Sequence, residues 1–182
     1  MKKMILVLLI LSGLYFVTAS DAIFDNPLLV SVKAQTKTNC SFSTYIQDED
    51  TTGTNIRAKA DKNSAILKTI KDSSSVVAEI TGFSNGWFEI TMVQEVGDTD
   101  KVVFKGRGWI YSSLVGMSVA GPDPRLYAEP KKGSRILMKL KPDESPLKLI
   151  GCQGDWVKVE TGGKIGWLSP DGQCGNPLTT CP

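Results

Sequence analysis

Gly86-Trp87-Phe88-Glu89-Ile90 and Asp155-Trp156-Val157-Lys158-Val159 each read as the start of a β-strand, and the pattern around them occurs twice. The first copy runs from Asn55-Ile56-Arg57-Ala58 through Ala65-Ile66-Leu67-Lys68-Thr69-Ile70 and Trp87 to Gly108-Trp109-Ile110. The second runs from Pro124-Arg125-Leu126-Tyr127-Ala128 through Arg135-Ile136-Leu137-Met138-Lys139-Leu140 and Trp156 to Gly166-Trp167-Leu168. Ile66 and Ile136 lie 70 positions apart, and Trp87 and Trp156 lie 69 apart. A register held this closely marks an internal repeat, so the chain reads as two copies of one small module.

The module reads as all-β. Val76-Val77-Ala78-Glu79-Ile80 and Trp87-Phe88-Glu89-Ile90-Thr91 are short and rich in strand formers, with Gly82, Asn85 and Gly86 marking the turn between them. No stretch beyond the amino terminus keeps a helical period for three turns. Lys62 to Ile70 comes nearest, and a turn followed by a strand explains it equally well. Trp156 and Trp167 are 11 positions apart, joined by a tight Thr161-Gly162-Gly163-Lys164 turn, whereas Trp87 and Trp109 are 22 apart. The first copy therefore carries a hairpin extension over residues 92–105, whose apolar arm residues predict packing, with the second module as one partner.

Met1-Lys2-Lys3, the apolar run Met4 to Val17 and the small residues that follow read as a secretory signal peptide over residues 1–19. Cleavage after Ala19 fits best, with Ala22 or Ala34 as alternatives. The apolar run falls short of the roughly 20 residues that a membrane span needs. The expected destination is secreted, periplasmic or cell envelope. Residues 20–44 read as a lead-in that includes the apolar patch Leu28-Leu29-Val30, followed by one module over 45–118 and a second over 122–182.

The whole chain has 21 Lys and Arg against 19 Asp and Glu, and the two excess cations are Lys2 and Lys3 of the leader. A neutral mature chain gives no electrostatic reason to expect nucleic acid or a membrane as partner. Four cysteines, Cys40, Cys152, Cys174 and Cys181, remain after the leader. An even count in an exported chain points to disulfides. Zinc is the competing reading, but close ligand spacing is missing and the chain has no His. Three connectivities are possible. The favoured one joins Cys152 to Cys174 across the second module and Cys40 to Cys181 across the ends of the mature chain.

Taken together, these motifs resemble bacterial SH3 (SH3b) domains. Asn55-Ile56-Arg57-Ala58 matches the family's Leu-Asn-Val-Arg-Ser opening, whereas Arg125-Leu126-Tyr127-Ala128 lacks the Asn and shifts the Arg. The resemblance covers roughly residues 45–175 and implies two half-open barrels in tandem. It implies a non-catalytic module that binds a cell-wall peptide or an extracytoplasmic protein, with no cofactor. Such domains are often attached to a cell-wall hydrolase.

The absence of His removes Ser/His and Cys/His nucleophile arrangements. Asp48, Glu49 and Asp50 read as a turn, because nothing apolar surrounds them to raise a pKa. The candidate ligand surface is aromatic: Trp87, Trp109, Tyr111, Tyr127, Trp156 and Trp167, with Arg57 available for a ligand carboxylate. Trp87 and Trp156 begin central strands and read as core, while Trp109 and Trp167 follow glycine and read as half exposed. Two further readings remain, a structural or interaction subunit of a larger complex and a small cell-wall hydrolase. The residues specify no oligomeric state.

Overall fold

In the computed structural model, the described residues are 36–48, 50–73, 75–97, 101–141 and 146–178. The leader with its cleavage positions, the Leu28-Leu29-Val30 patch, the hairpin tip Asp98-Thr99-Asp100 and Cys181 lie outside them. All described residues fall within a single compact unit, Ala34–Pro182.

The alternation of apolar and polar residues becomes strands in the order β1 (Thr38–Ile46), β2 (Thr54–Arg57), β3 (Ile66–Ile70), β4 (Val76–Ser84), β5 (Trp87–Glu95), β6 (Lys101–Tyr111) and β7 (Val115–Val119). The second copy supplies β8 (Arg125–Tyr127), β9 (Ile136–Lys139), β10 (Leu147–Gln153), β11 (Trp156–Thr161), β12 (Lys164–Leu168) and β13 (Gln173–Cys174). Short 3-10 turns at Ser112–Leu114 and Pro170–Gly172 precede β7 and β13. The described residues are all-β, as expected, and Lys62 to Ile70 resolves into a turn and a strand.

The described strands form one continuous open sheet in the order β3-β2-β6-β5-β4-β1-β7-β10-β11-β12-β8-β9, with β13 added on β7. The run β4-β5-β6-β2-β3 in the first copy has the same order as β10-β11-β12-β8-β9 in the second. Strands β1 and β7 stand between these runs. The copies are therefore joined edge to edge by backbone hydrogen bonding.

In each copy alternate strand residues supply the core. Phe88 and Ile90 on β5, Ile110 on β6, and Val157, Val159 and Leu168 on β11 and β12 are all fully buried. They belong to one apolar cluster that runs through both copies. The glycine of each Gly-Trp pair has a packing cause. A Cβ at Gly108 would lie 2.4 Å from Ile56 Cγ2, and one at Gly166 would lie 2.5 Å from Leu126 Cγ. The buried residue of β2 or β8 thus occupies the space beside β6 or β12, and only glycine admits it.

Residues 38–44 are not a lead-in. Cys40, Phe42 and Thr44 are buried while Asn39 and Ser41 are exposed, the period-2 alternation of a half-buried strand. Phe42 pairs with Ile80 on β4, and Tyr45 pairs with Gly116 on β7. The Thr44 hydroxyl donates to the Gly116 carbonyl, and Gln47 N–H donates to Leu114 O at 2.8 Å. On the other copy, Ser41 N–H donates to Gly154 O at 2.7 Å and Gly154 N–H donates to Asn39 O at 2.9 Å.

This placement corrects the cysteine pairing. Cys40 is bonded to Cys152, with Cα atoms 5.7 Å apart, so neither Cys152–Cys174 nor Cys40–Cys181 forms. The cause is the β1–Gly154 contact, which brings Cys40 beside the end of β10. Cys174 is disulfide-bonded as well. At the hairpin extension, where a Cβ on Gly97 would lie 3.8 Å from Leu178 Cδ1 of the carboxy-terminal tail, the sheet also grows longer. The hairpin arms pair as predicted, Met92 with Lys105 and Val93 with Phe104, and β5 continues along β4, where Val76 faces Glu95. The arms therefore extend the first copy's own sheet.

The outward face of β5 carries one buried charge. Glu89 is 3% exposed and accepts from Lys37, just before β1, and from Arg107 on β6. Burial would raise its pKa, but the hydrogen bonds and charges of Lys37 and Arg107 outweigh burial and lower it.

A non-reducing digest should yield a fragment pair joining Cys40 to Cys152, and a Cys152–Cys174 pair would contradict the structure. Replacing Cys40 and Cys152 by serine should cost about 2–4 kcal/mol in chemical denaturation. Because folding lowers the Glu89 pKa, its contribution is complete above the ordinary carboxylate range and is lost as pH falls through the folded value. Glu89→Gln should therefore destabilise by about 1–3 kcal/mol near neutral pH. Urea titrations should show that difference shrinking as the solution is acidified.

Candidate functional site

A broad concavity forms at one end of the first copy. Ser84 pairs with Trp87, leaving Asn85 and Gly86 as a two-residue turn with φ of 52° and 82°. Both values lie in the left-handed region that such hairpin turns require, which accounts for the Asn-Gly pair. The turn sets Trp87 opposite Tyr111 on β6, with ring centroids 5.2 Å apart and planes tilted by 57°. Ser112 N–H donates to Gly86 O at 2.9 Å and closes that end.

Arg57 lies at the end of β2, where its guanidinium donates to Ser64 O at 2.7 Å. The loop it braces is closed by Ala58 N–H to Ala65 O at 2.9 Å and by Lys59 N–H to Ser64 Oγ at 2.9 Å. Trp87, Tyr111, Arg57, Asn55, Lys59, Asp61, Lys62, Asp48 and Asp50 are among the residues that line a groove of about 880 Å³. Trp87 is 8% exposed and Tyr111 is 46% exposed, so the tyrosine presents most of the accessible aromatic surface.

The acidic residues of the groove are also turn residues, as expected. Thr54 Oγ1 donates to Asp48 Oδ2 at 2.7 Å, and Thr52 N–H donates to Asp50 Oδ1 at 2.9 Å. The bonds from Thr52 hold the Asp50 carboxyl below the usual carboxylate range. Asp50 is therefore a fixed anion near neutral pH, not a proton donor. Its place in the groove was hidden in the sequence because the contact depends on β1 entering the sheet.

The equivalent region of the second copy is divided. Tyr127 holds the position of Arg57, since Arg57 pairs with Trp109 and Tyr127 pairs with Trp167. The Tyr127 ring meets Trp156 edge-on at 5.4 Å. Lys132 lies 3.6 Å from Asp171. Asp171 is held below the usual carboxylate range, first by the Ser169 hydroxyl and also by Lys132. What is one groove in the first copy becomes two recesses of about 240 and 430 Å³, one with Tyr127 and the other with Trp156 in its lining.

The seven candidate residues do not form one surface. Arg57, Trp87 and Tyr111 come together, and Tyr127 meets Trp156. Trp109 is 8% exposed, buried where half exposure was expected, while Trp167 is partly exposed with Lys158 Nζ 5.7 Å from its ring centre. Among the described residues no group of three His, Cys, Asp or Glu side chains could hold a metal ion. None of their helices is long and apolar enough to cross a membrane.

No curated protein matches the chain. It is similar to two solved structures from Trichomonas vaginalis. NlpC2 is 16% identical, with a TM-score of 0.31, over 77% of this chain and 48% of that one. NlpC1 is 19% identical, with a TM-score of 0.31, over 79% of this chain and 47% of that one. The chain spans about half the length of these structures. The bacterial SH3 domain family matches residues 122–172, which hold β8 to β12 and the turn after them. The open all-β sheet agrees with that family, and residues 122–172 are a bacterial SH3 domain.

Proposed function

We propose that the chain is an exported, non-catalytic binding protein made of two SH3b modules, of which the first receives a ligand and the second braces it. One observation carries the reading: the aromatic-lined groove is open in the first copy and divided in the second. A disulfide and a bacterial SH3 domain are consistent with an extracytoplasmic location. The ligand class is a cell-wall peptide or an extended segment of an extracytoplasmic protein. Tyr111 would offer a stacking surface against the Trp87 ring, and Arg57 would offer donors to a carboxylate. The fixed anion of Asp50 beside the side chains of Lys59 and Lys62 suits a ligand that carries both an amine and a carboxylate.

Hydrolysis finds no support in this arrangement. A glycosidase acid needs a carboxyl whose pKa is raised, whereas Asp50 is held low by hydrogen bonds.

Retention on purified peptidoglycan tests the proposal. Tyr111→Ala removes an exposed ring and should leave the fold intact while lowering retention about tenfold, the scale of one lost aromatic contact. Tyr127→Ala should retain near the wild-type level. No retention by wild type, or equal loss in both variants, would count against the open-groove reading. Trp109→Ala is unsuitable here, because Trp109 is buried and the change tests folding.

A further inference from the structure

The repeat superimposes one more pair of surfaces, and they differ in charge. Across the outward face of the first copy, register places Glu89 beside Trp109 and Trp109 beside Arg57. In the second copy the same row reads Lys158, Trp167, Tyr127 and then Ile136 at the sheet edge. In the first copy this face is strapped. Lys37, arriving ahead of β1, lays its side chain over Gly82, where a Cβ would sit 2.4 Å from Lys37 Cε. The Lys37 ammonium then pairs with Glu89, and Arg107 pairs with the same carboxylate from β6.

The second copy replaces each part of this device. Lys158 stands where Glu89 stands, so the charge is inverted. Ile165 takes the place of Arg107 by the Trp109-to-Trp167 register and is 54% exposed. Trp167 is partly exposed where Trp109 is buried, while the edge isoleucine is exposed in both copies, Ile66 at 52% and Ile136 at 44%. Over Gly151, the counterpart of Gly82, the nearest atoms among the described residues are Lys158 Cβ and the Phe83 ring at 3.7 Å, an ordinary contact, and no described residue forms a strap there. Exposed apolar side chains around a cation therefore occupy the position that a strap covers in the other copy.

We infer that this face of the second copy docks an extended segment of a partner protein, with an acidic residue taking the place of Lys37 and apolar neighbours covering Ile165 and Trp167. Charge complementarity selects the occupant. The first copy pairs a cationic strap with a buried acid, and the second offers a cation to an acidic strap. The site lies on the copy that the groove reading leaves without a ligand, so either proposal can fail alone.

Synthetic extended peptides test this on the full chain. Three peptides of sequence Thr-Val-X-Val-Thr, with X as Glu, Gln or Lys, are titrated while backbone amide shifts of β9 and β12 are followed. The Glu peptide should bind roughly fivefold more tightly than the Lys peptide, the scale on which one exposed charge pair changes from attraction to repulsion. Lys158→Glu should invert that order. No binding by any peptide, equal binding of Glu and Lys peptides, or shifts confined to the Trp87–Tyr111 groove would overturn the inference. So would sedimentation showing that a second copy of the chain covers Trp167, with the dimer lost on Ile165→Ser.

Discussion

The structure depends on how β1 is held at the seam. Strand β1 pairs with β4 of the first copy and with β7, while its backbone reaches Gly154 of the second. Cys40 on this strand is then bonded to Cys152 on β10. Modules of about 60 residues lie near the lower limit for an independent core. Sharing strands offsets that weakness, because one apolar cluster runs from Ile56 to Leu168 without a break. The same strand positions the residues around it. Lys37 leads into β1 and reaches Glu89, while Asp48 and Asp50 follow it and line the groove. A segment that carries little chemistry of its own therefore places a crosslink, a strap and part of a binding surface.

Much of the fold was legible because the repeated residues sit where sterics leave little choice. Gly108 and Gly166 are set by the packing of Ile56 and Leu126, and the Asn85-Gly86 turn by its left-handed backbone. Local patterns of this kind survive in a sequence read alone. The entry of β1 did not come through, although Asn39-Cys40-Ser41-Phe42-Ser43-Thr44 alternates visibly once it is looked for. Its counterpart by sheet order is β7, which pairs with β10 as β1 pairs with β4, but the repeated motifs begin after both strands and so gave no cue to either. The wrong disulfide pairing followed directly from that omission, since Cys40 was placed at a free end.

The candidate site was legible in part. Trp87, Tyr111 and Arg57 meet as aromatic and cationic residues of one groove, which strand-start positions and the opening motif had marked. Trp109 shows why exposure was harder to read. A tryptophan after glycine at a strand edge is buried in one copy and partly exposed in the other, and the difference tracks with Glu89 against Lys158 across the strand. The two recesses of the second copy share Asp171 and hold Tyr127 and Trp156 separately, an arrangement of tertiary contacts that no local pattern encodes. Repeat position names equivalent residues. Their neighbours decide what those residues can do.

The central claim is that one copy receives the ligand and the other does not, despite their common strand order. Hydrogen exchange of the full chain with soluble stem-peptide fragments of peptidoglycan tests this most directly. The account predicts slowed exchange at Gly86, Trp87 and Ser112 with no change at Gly154 and Trp156. Equal protection at both turns, or protection only at Gly154 and Trp156, would contradict it.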